Sequence, residues 1–112
     1  MGITEPWLFA NDEGVWREDT PGHPFGISWD EVFAVSGHKI DGVTEVFACV
    51  VLDWDYGEFI ELYQHWPGFT QVVEAITARL PGIAPDWLAR IETCGVDAPS
   101  LEVWHRERPG SP

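Results

Sequence analysis

The chain has 112 residues, of which 19 are acidic and six are basic, so its formal net charge is −13 at pH 7. This length is enough for one hydrophobic core, and we expect a single domain over residues 1–108 with a frayed tail over residues 109–112. A hydrophobic content of 45% with seven Trp excludes a disordered chain. The negative charge opposes binding to nucleic acids and to anionic membranes.

Neither the first residues nor the two cysteines form a motif for a targeting signal, a redox site or a metal site. The first residues lack a basic region followed by an apolar run, and no segment approaches the roughly 20 apolar residues of a membrane span. Cys49 and Cys94 do not belong to a CxxC or Cys/His pattern. The sequence therefore predicts a cytoplasmic protein with two free thiols, no cofactor and no metal.

The first third of the chain predicts a hairpin followed by a helical turn. Strands over residues 7–10 and 15–17 flank the turn residues 11–14, and a loop with two prolines covers residues 20–24. Ser28 and Glu31 then have the spacing of a capping box. We expect one helical turn over residues 27–32.

Three apolar segments follow, with strand composition and turn residues between them. They cover residues 33–40, 44–53 and 58–65. Asp41-Gly42 marks the first turn, and Gly57 supplies the backbone freedom for the second. These segments predict an antiparallel meander.

A helical period replaces the strand pattern after residue 65. The apolar stripe of this helix comprises Phe69, Val72, Val73, Ile76 and Leu80. It predicts a main helix over residues 67–80, with Pro67 in its first turn. A short helix over residues 85–93 and a last strand over residues 101–106 complete an α+β fold, with the main helix packed on one antiparallel sheet of five or six strands.

The acidic stretch from Asp53 to Glu58 has the composition of a calcium loop but not its register. Counted from Asp53, the fifth and twelfth positions hold Gly57 and Gln64, where a calcium loop needs oxygen ligands and a bidentate Glu. Both flanking segments are predicted strands rather than helices. A hairpin turn without a metal is the better interpretation.

The same hairpin combines charge that steers a partner with aromatic area that anchors it. The residues concerned are Asp53, Trp54, Asp55, Tyr56, Glu58 and Glu61. We therefore predict a non-catalytic binding module that presents an acidic, aromatic surface to a basic protein partner. The most specific version of this prediction is an immunity-type inhibitor of a basic toxin.

Two alternatives remain open at this point. Glu61, Tyr63 and His65 share one predicted strand face and, beside Glu45 or Asp53, could form a carboxylate–histidine site in a small enzyme or ligand-binding domain. A structural homodimer could instead bury the excess Trp residues.

Nucleophilic catalysis finds little support in the pattern. Cys49 lies among apolar strand residues and is predicted to be buried and inert. Ser36 and His38 share a strand face, but that spacing holds them about 6–7 Å apart, beyond hydrogen-bond reach.

The chain also resembles a family of small bacterial proteins with a domain of unknown function. The resemblance covers about residues 25–106 and rests on turn and core positions. These are Trp29-Asp30-Glu31-Val32, Asp41-Gly42, Gly57, Gly68-Phe69, Leu80-Pro81-Gly82 and Val103-Trp104-His105. It implies a pleckstrin-homology-like or similar α+β roll and no particular activity.

Overall fold

A computed structural model describes residues 5–54 and 58–106, which form an α+β fold of seven strands and two α-helices. The strands are β1 (Trp7–Ala10), β2 (Gly14–Thr20), β3 (His23–Ser28), β4 (Ala34–Asp41), β5 (Val46–Asp53), β6 (Phe59–Tyr63) and β7 (Leu101–His105). The helices are α1 (Phe69–Arg79) and α2 (Trp87–Glu92). None of the helices in the described ranges is long and apolar enough to cross a membrane.

The strands form two antiparallel sheets, with the orders β1-β2-β3 and β6-β5-β4-β7. The predicted meander is confirmed, and the last strand pairs with β4. The prediction of one sheet with five or six strands is wrong. Alternating polarity identifies a strand but does not say which strands pair, because the same pattern suits either sheet.

The first sheet gains its third strand where a loop was expected. The tight turn takes up only Pro21 and Gly22, which has a φ of 82°. Strand β3 begins directly after it, at His23. Pro24 pairs with Glu18 at the edge of the sheet. An edge strand tolerates a proline, because one side of the strand needs no hydrogen-bond donor.

A 3-10 turn at Trp29–Glu31 connects the two sheets. The Ser28 backbone N–H donates to the Glu31 carboxylate at 3.2 Å, and the Ser28 side chain accepts from the Glu31 backbone N–H, so the predicted capping box is present. The Trp29 N–H donates to the Glu13 carbonyl at 3.1 Å and ties the turn to the first sheet.

One core joins both sheets and both helices. Its fully buried side chains include Val15 and Ile27 of the first sheet, Val35, Val50 and Leu62 of the second, Val72 and Ile76 of α1, and Trp87 and Ile91 of α2. α1 lies closest to β1, whereas α2 lies against β4 and β5. The buried residues of α1 share this core cluster with Val50, Leu52 and Leu62 of the meander.

Both helices are shorter than predicted. α1 begins at Phe69 because Gly68, with a φ of 90°, turns the chain into the helix. Pro67 lies before the helix rather than in its first turn, and its carbonyl accepts a hydrogen bond from the Leu8 N–H at 2.9 Å. α2 lies within the predicted residues 85–93.

The entry into α1 generates a stability prediction. A Cβ on Gly68 would lie 1.7 Å from the Leu8 carbonyl oxygen, in addition to the strain of its positive φ. We expect Gly68→Ala to lower the free energy of unfolding by at least about 3 kcal/mol. Urea denaturation followed by circular dichroism measures the change.

Gly82→Ala is the matched control. Gly82 has a φ of 77°, but a Cβ added to it would meet no atom within 4 Å, so only the strain of the left-handed conformation, about 1 kcal/mol, is expected. Equal losses in the two variants would contradict the close approach of Gly68 to β1.

Candidate functional site

The residues predicted as one partner surface are divided between the two faces of the β5–β6 hairpin. Trp54 is half-buried and packs against the core, and its backbone N–H donates to the Glu58 carbonyl at 2.8 Å. Asp53 and Glu61 follow the strand alternation to the opposite, outer face of the sheet. Asp55 and Tyr56 lie outside the described residues. The hairpin therefore contributes to two separate sites.

Trp54 and Glu58 line a cavity of about 480 Å³, which we call the Trp54 cleft. Its other lining residues are Asp30, Glu31, Val32, Phe33 and Arg106. Asp30, Glu31 and Glu58 are exposed, so three acidic residues line the same cavity as a half-buried tryptophan. The Asp30 carboxylate also borders a second, more open concavity beside Trp29 and Arg79.

Among the described residues, the guanidinium that lines the Trp54 cleft, that of Arg106, is engaged within the protein itself. Arg106 donates to the Val32 carbonyl at 3.0 Å and to the Trp29 carbonyl at 2.9 Å. These bonds join the end of β7 to the 3-10 turn and to the residue that follows it. They hold the cleft wall in place and direct the Arg106 donors to backbone oxygens.

Glu31 stays ionised to a lower pH than an ordinary glutamate. The Ser28 hydroxyl and then the Ser28 backbone N–H donate to its carboxylate and lower its pKa. The Glu31 carboxylate therefore stays charged even in mildly acidic solution.

A second cluster lies on the outer face of the four-stranded sheet. His38 on β4 is directly opposite Cys49 on β5, and Glu61 on β6 is diagonal to Cys49. The Cys49 Sγ is 3.8 Å from the Glu61 Oε2. The ligand atoms of His38, Cys49 and Glu61 all lie within 4.8 Å of one another. We call these three residues the outer-face cluster.

Cys49 is fully buried, although it lies outside the core cluster. Burial, followed by the charge of Glu61 and its hydrogen bond with the thiol, raises the pKa of Cys49 to about 12. The thiol is therefore protonated at neutral pH and donates to the carboxylate. The prediction of a buried cysteine is confirmed, but its neighbours include a histidine and a carboxylate.

His65 does not take the predicted role beside Glu61. It lies in the turn after β6, where its ring is 4.6 Å from that of Phe47 and its Nε2 is 3.9 Å from a Glu5 oxygen. Tyr63 stacks on Trp66 with ring centroids 4.4 Å apart. The histidine that approaches Glu61 is His38, which lies on the same face of the sheet but on β4, across β5.

Asp53 also has a different neighbour from the one predicted. Burial raises the pKa of its carboxyl group, and the charge of Glu102 on β7 raises it further. Asp53 thus faces another carboxylate across the sheet instead of completing a site with Glu61.

The outer-face cluster was missed because sequence spacing does not show which residues are opposite each other. The ligand-bearing residues are separated by at least eleven positions and share no motif. A signal was present in the Asp41-Gly42 turn: the four-residue connection between β4 and β5 pairs Asp41 with Val46 and hence His38 with Cys49.

Comparisons of the chain with known protein families, curated proteins and solved structures found no match. The resemblance to a pleckstrin-homology-like family therefore stays a prediction, and the sites are interpreted from their own geometry.

The two thiols should differ in reactivity. At pH 8 we expect iodoacetamide to alkylate Cys94, which is half-buried, and to leave Cys49 unmodified, because Cys49 is inaccessible and protonated. Intact-protein mass spectrometry of the native and the urea-unfolded chain measures this difference. Native Cys94→Ser should accept no label and should accept one after unfolding; rapid labelling of the native variant would contradict the buried position of Cys49.

Proposed function

We propose that this protein is a binding module whose Trp54 cleft receives a cationic side chain of a basic protein partner. The observation that carries the proposal is that the acidic residues Asp30, Glu31 and Glu58 line the same cavity as the half-buried Trp54. Carboxylates attract the charge, and an indole face binds the flat guanidinium or the aliphatic stem that carries it.

The size and construction of the cleft support this proposal. A volume of about 480 Å³ exceeds the needs of one Arg or Lys side chain and leaves space for part of its backbone. Arg106 and the Ser28–Glu31 bonds fix the walls before a partner arrives. A preorganised site loses less conformational entropy on binding than a flexible one.

Charge over the whole chain supports the same class of partner. The net charge of −13 creates a long-range field that accelerates encounter with a basic protein. An inhibitor that blocks a basic toxin remains the sharpest form of this proposal, because a toxin's substrate-binding arginines or lysines would be natural occupants of the cleft.

Self-association is a second candidate, favoured by a different observation. Phe59 on β6, which pairs with Asp53 in the sheet, is 56% exposed. Apolar exposure on a sheet is typical of a surface that is covered by a partner. Sedimentation velocity over a range of protein concentrations separates a homodimer from a monomer, and Phe59→Ser should abolish a dimer formed through this region.

Trp54→Ala tests the anchor of the cleft. With the natural partner, we expect Kd to rise by about 30-fold, which corresponds to the loss of about 2 kcal/mol typical of a central aromatic contact. Because Trp54 also packs against the core, amide NMR spectra must show that the variant is folded. Trp54→Phe should keep most of the affinity, since it preserves an aromatic face.

The double substitution Glu31→Gln/Glu58→Gln tests the charges. It should slow association and reduce the salt dependence of binding, because the carboxylates steer a basic partner. Asp41→Asn/Glu45→Gln is the matched control, since it removes two exposed charges from the β4–β5 turn. Wild type and both double variants serve as baits in affinity capture from the source cells, with identification by mass spectrometry.

The expected result is a basic protein retained by wild type and by the turn variant but lost from the cleft variant. A partner that binds the cleft variant and wild type with equal affinity would show that the Trp54 cleft is not the binding site.

A further inference from the structure

The outer-face cluster differs from an ordinary patch of polar surface in its chemistry. Three adjacent strands each contribute one donor of a different kind: an imidazole from His38, a thiol from Cys49 and a carboxylate from Glu61. Cys49 is on the central strand of the three and is completely shielded from solvent, while the other two side chains are half-buried.

We propose that His38, Cys49 and Glu61 bind one zinc-class transition-metal ion on the outer face of the sheet. The prediction from sequence was that the chain binds no metal, because no clustered His or Cys ligands are visible in the linear pattern. The register of β4, β5 and β6 brings together the ligands that the sequence keeps apart.

The donor set selects the class of metal. Thiolate and imidazole ligands favour borderline and soft ions such as Zn²⁺, whereas Ca²⁺ and Mg²⁺ require oxygen ligands. Zinc sites with three protein ligands keep a fourth position for water or for a substrate. The half-buried His38 and Glu61 leave that fourth position on the solvent side of the cluster.

The distances are close to those that coordination requires. With metal–ligand bonds of about 2.0–2.3 Å, the ligand atoms of a tetrahedral site lie about 3.5 Å apart. In this structure the Sγ–Oε2 distance is 3.8 Å, and all ligand atoms lie within 4.8 Å of one another. Side-chain rotations of His38 and Glu61 can supply the remaining movement, of the order of 1 Å, without a change in the strands.

Proton and charge balance also agree with a divalent ion. On binding, the Cys49 S–H bond breaks, its proton passes to solvent and a sulfur–metal bond forms. One thiolate and one carboxylate then neutralise the two positive charges of Zn²⁺, and neutral His38 adds none. A neutral site is the form that costs least in partly buried surroundings.

This inference does not depend on the proposed function. The outer-face cluster and the Trp54 cleft share no residue, and they use side chains on opposite faces of the β5–β6 hairpin. Loss of metal binding would leave the partner site unaffected, and the reverse also holds.

Cobalt(II) titration of the untagged, chelator-treated full chain tests the site. A Co²⁺ ion bound to a thiolate gives a near-ultraviolet charge-transfer band, and tetrahedral coordination gives intense visible bands. We expect both, with saturation at one ion per chain and displacement of Co²⁺ by Zn²⁺. Cys49→Ala should abolish the charge-transfer band, while His38→Ala and Glu61→Gln should each weaken affinity at least about tenfold.

Cys94→Ser and His65→Ala are the matched controls, since each removes a ligand type found elsewhere in the described structure. Both should bind cobalt like wild type. If Cys49→Ala fails to fold, the half-buried His38 and Glu61 variants decide the question in its place. The proposal is overturned if no thiolate band forms, if the band depends on Cys94, or if neither His38→Ala nor Glu61→Gln changes the affinity.

Discussion

The antiparallel pairing of β4 with β5 is the constraint on which the rest of the structure depends. Its register extends from Ala34 opposite Asp53 to Asp41 opposite Val46, and both remaining strands of the sheet attach to this pair. A shift of one residue would move Val50 and Leu52 from the core to solvent and Cys49 into the core. The same register therefore fixes the hydrophobic face and the chemistry of the outer face. The turn at Gly42, closed by the bond from its N–H to the Glu45 carbonyl at 2.9 Å, sets the register.

The segment after β3 links the sheets and also builds the Trp54 cleft. Trp29 is held by its N–H bond to Glu13 and by its indole bond to the Asn11 carbonyl at 2.8 Å. The Phe33 N–H then donates to the Asp53 carbonyl at 2.7 Å, and the Arg106 N–H donates to the Phe33 carbonyl at 2.7 Å. Because these backbone bonds bring β5, β7 and the 3-10 turn together, the cleft is a product of how the sheets meet. A concave surface at such a junction can be rigid although it is made largely of connecting segments.

Local signals in the sequence were sufficient for most elements and for the α+β class. The capping pair Ser28 and Glu31, the Asp41-Gly42 turn and the apolar stripe of α1 each act over a few residues, and each is present in the structure. Pairing between distant segments was not predictable in the same way: β3 joins β2 through a turn at Gly22, where two prolines suggested a loop. The candidate sites show the same difference between local signals and contacts of distant segments. Trp54 and Glu58 were identified through their hairpin, but Asp30 and Glu31 reach the cleft only through tertiary packing, and His38 reaches Glu61 only across the sheet.

The uneven pairing of charges agrees with the different ligands that we propose for the two sites. Several basic side chains in the described ranges are engaged within the chain: Arg17 pairs with Asp19, Arg79 pairs with Asp12, and the Lys39 ammonium donates to the Glu92 carbonyl. With only six basic residues against 19 acidic ones, many carboxylates have no cation to neutralise them. Exposed carboxylates such as Asp30 and Glu58 are hydrated in the free protein, so a cationic side chain of the proposed partner would replace this water at a low desolvation cost. Glu61 is instead half-buried beside a protonated thiol. There a thiol, an imidazole and a carboxylate can form direct bonds to the proposed transition-metal ion, which would replace the thiol proton, whereas an organic cation offers no such bonds.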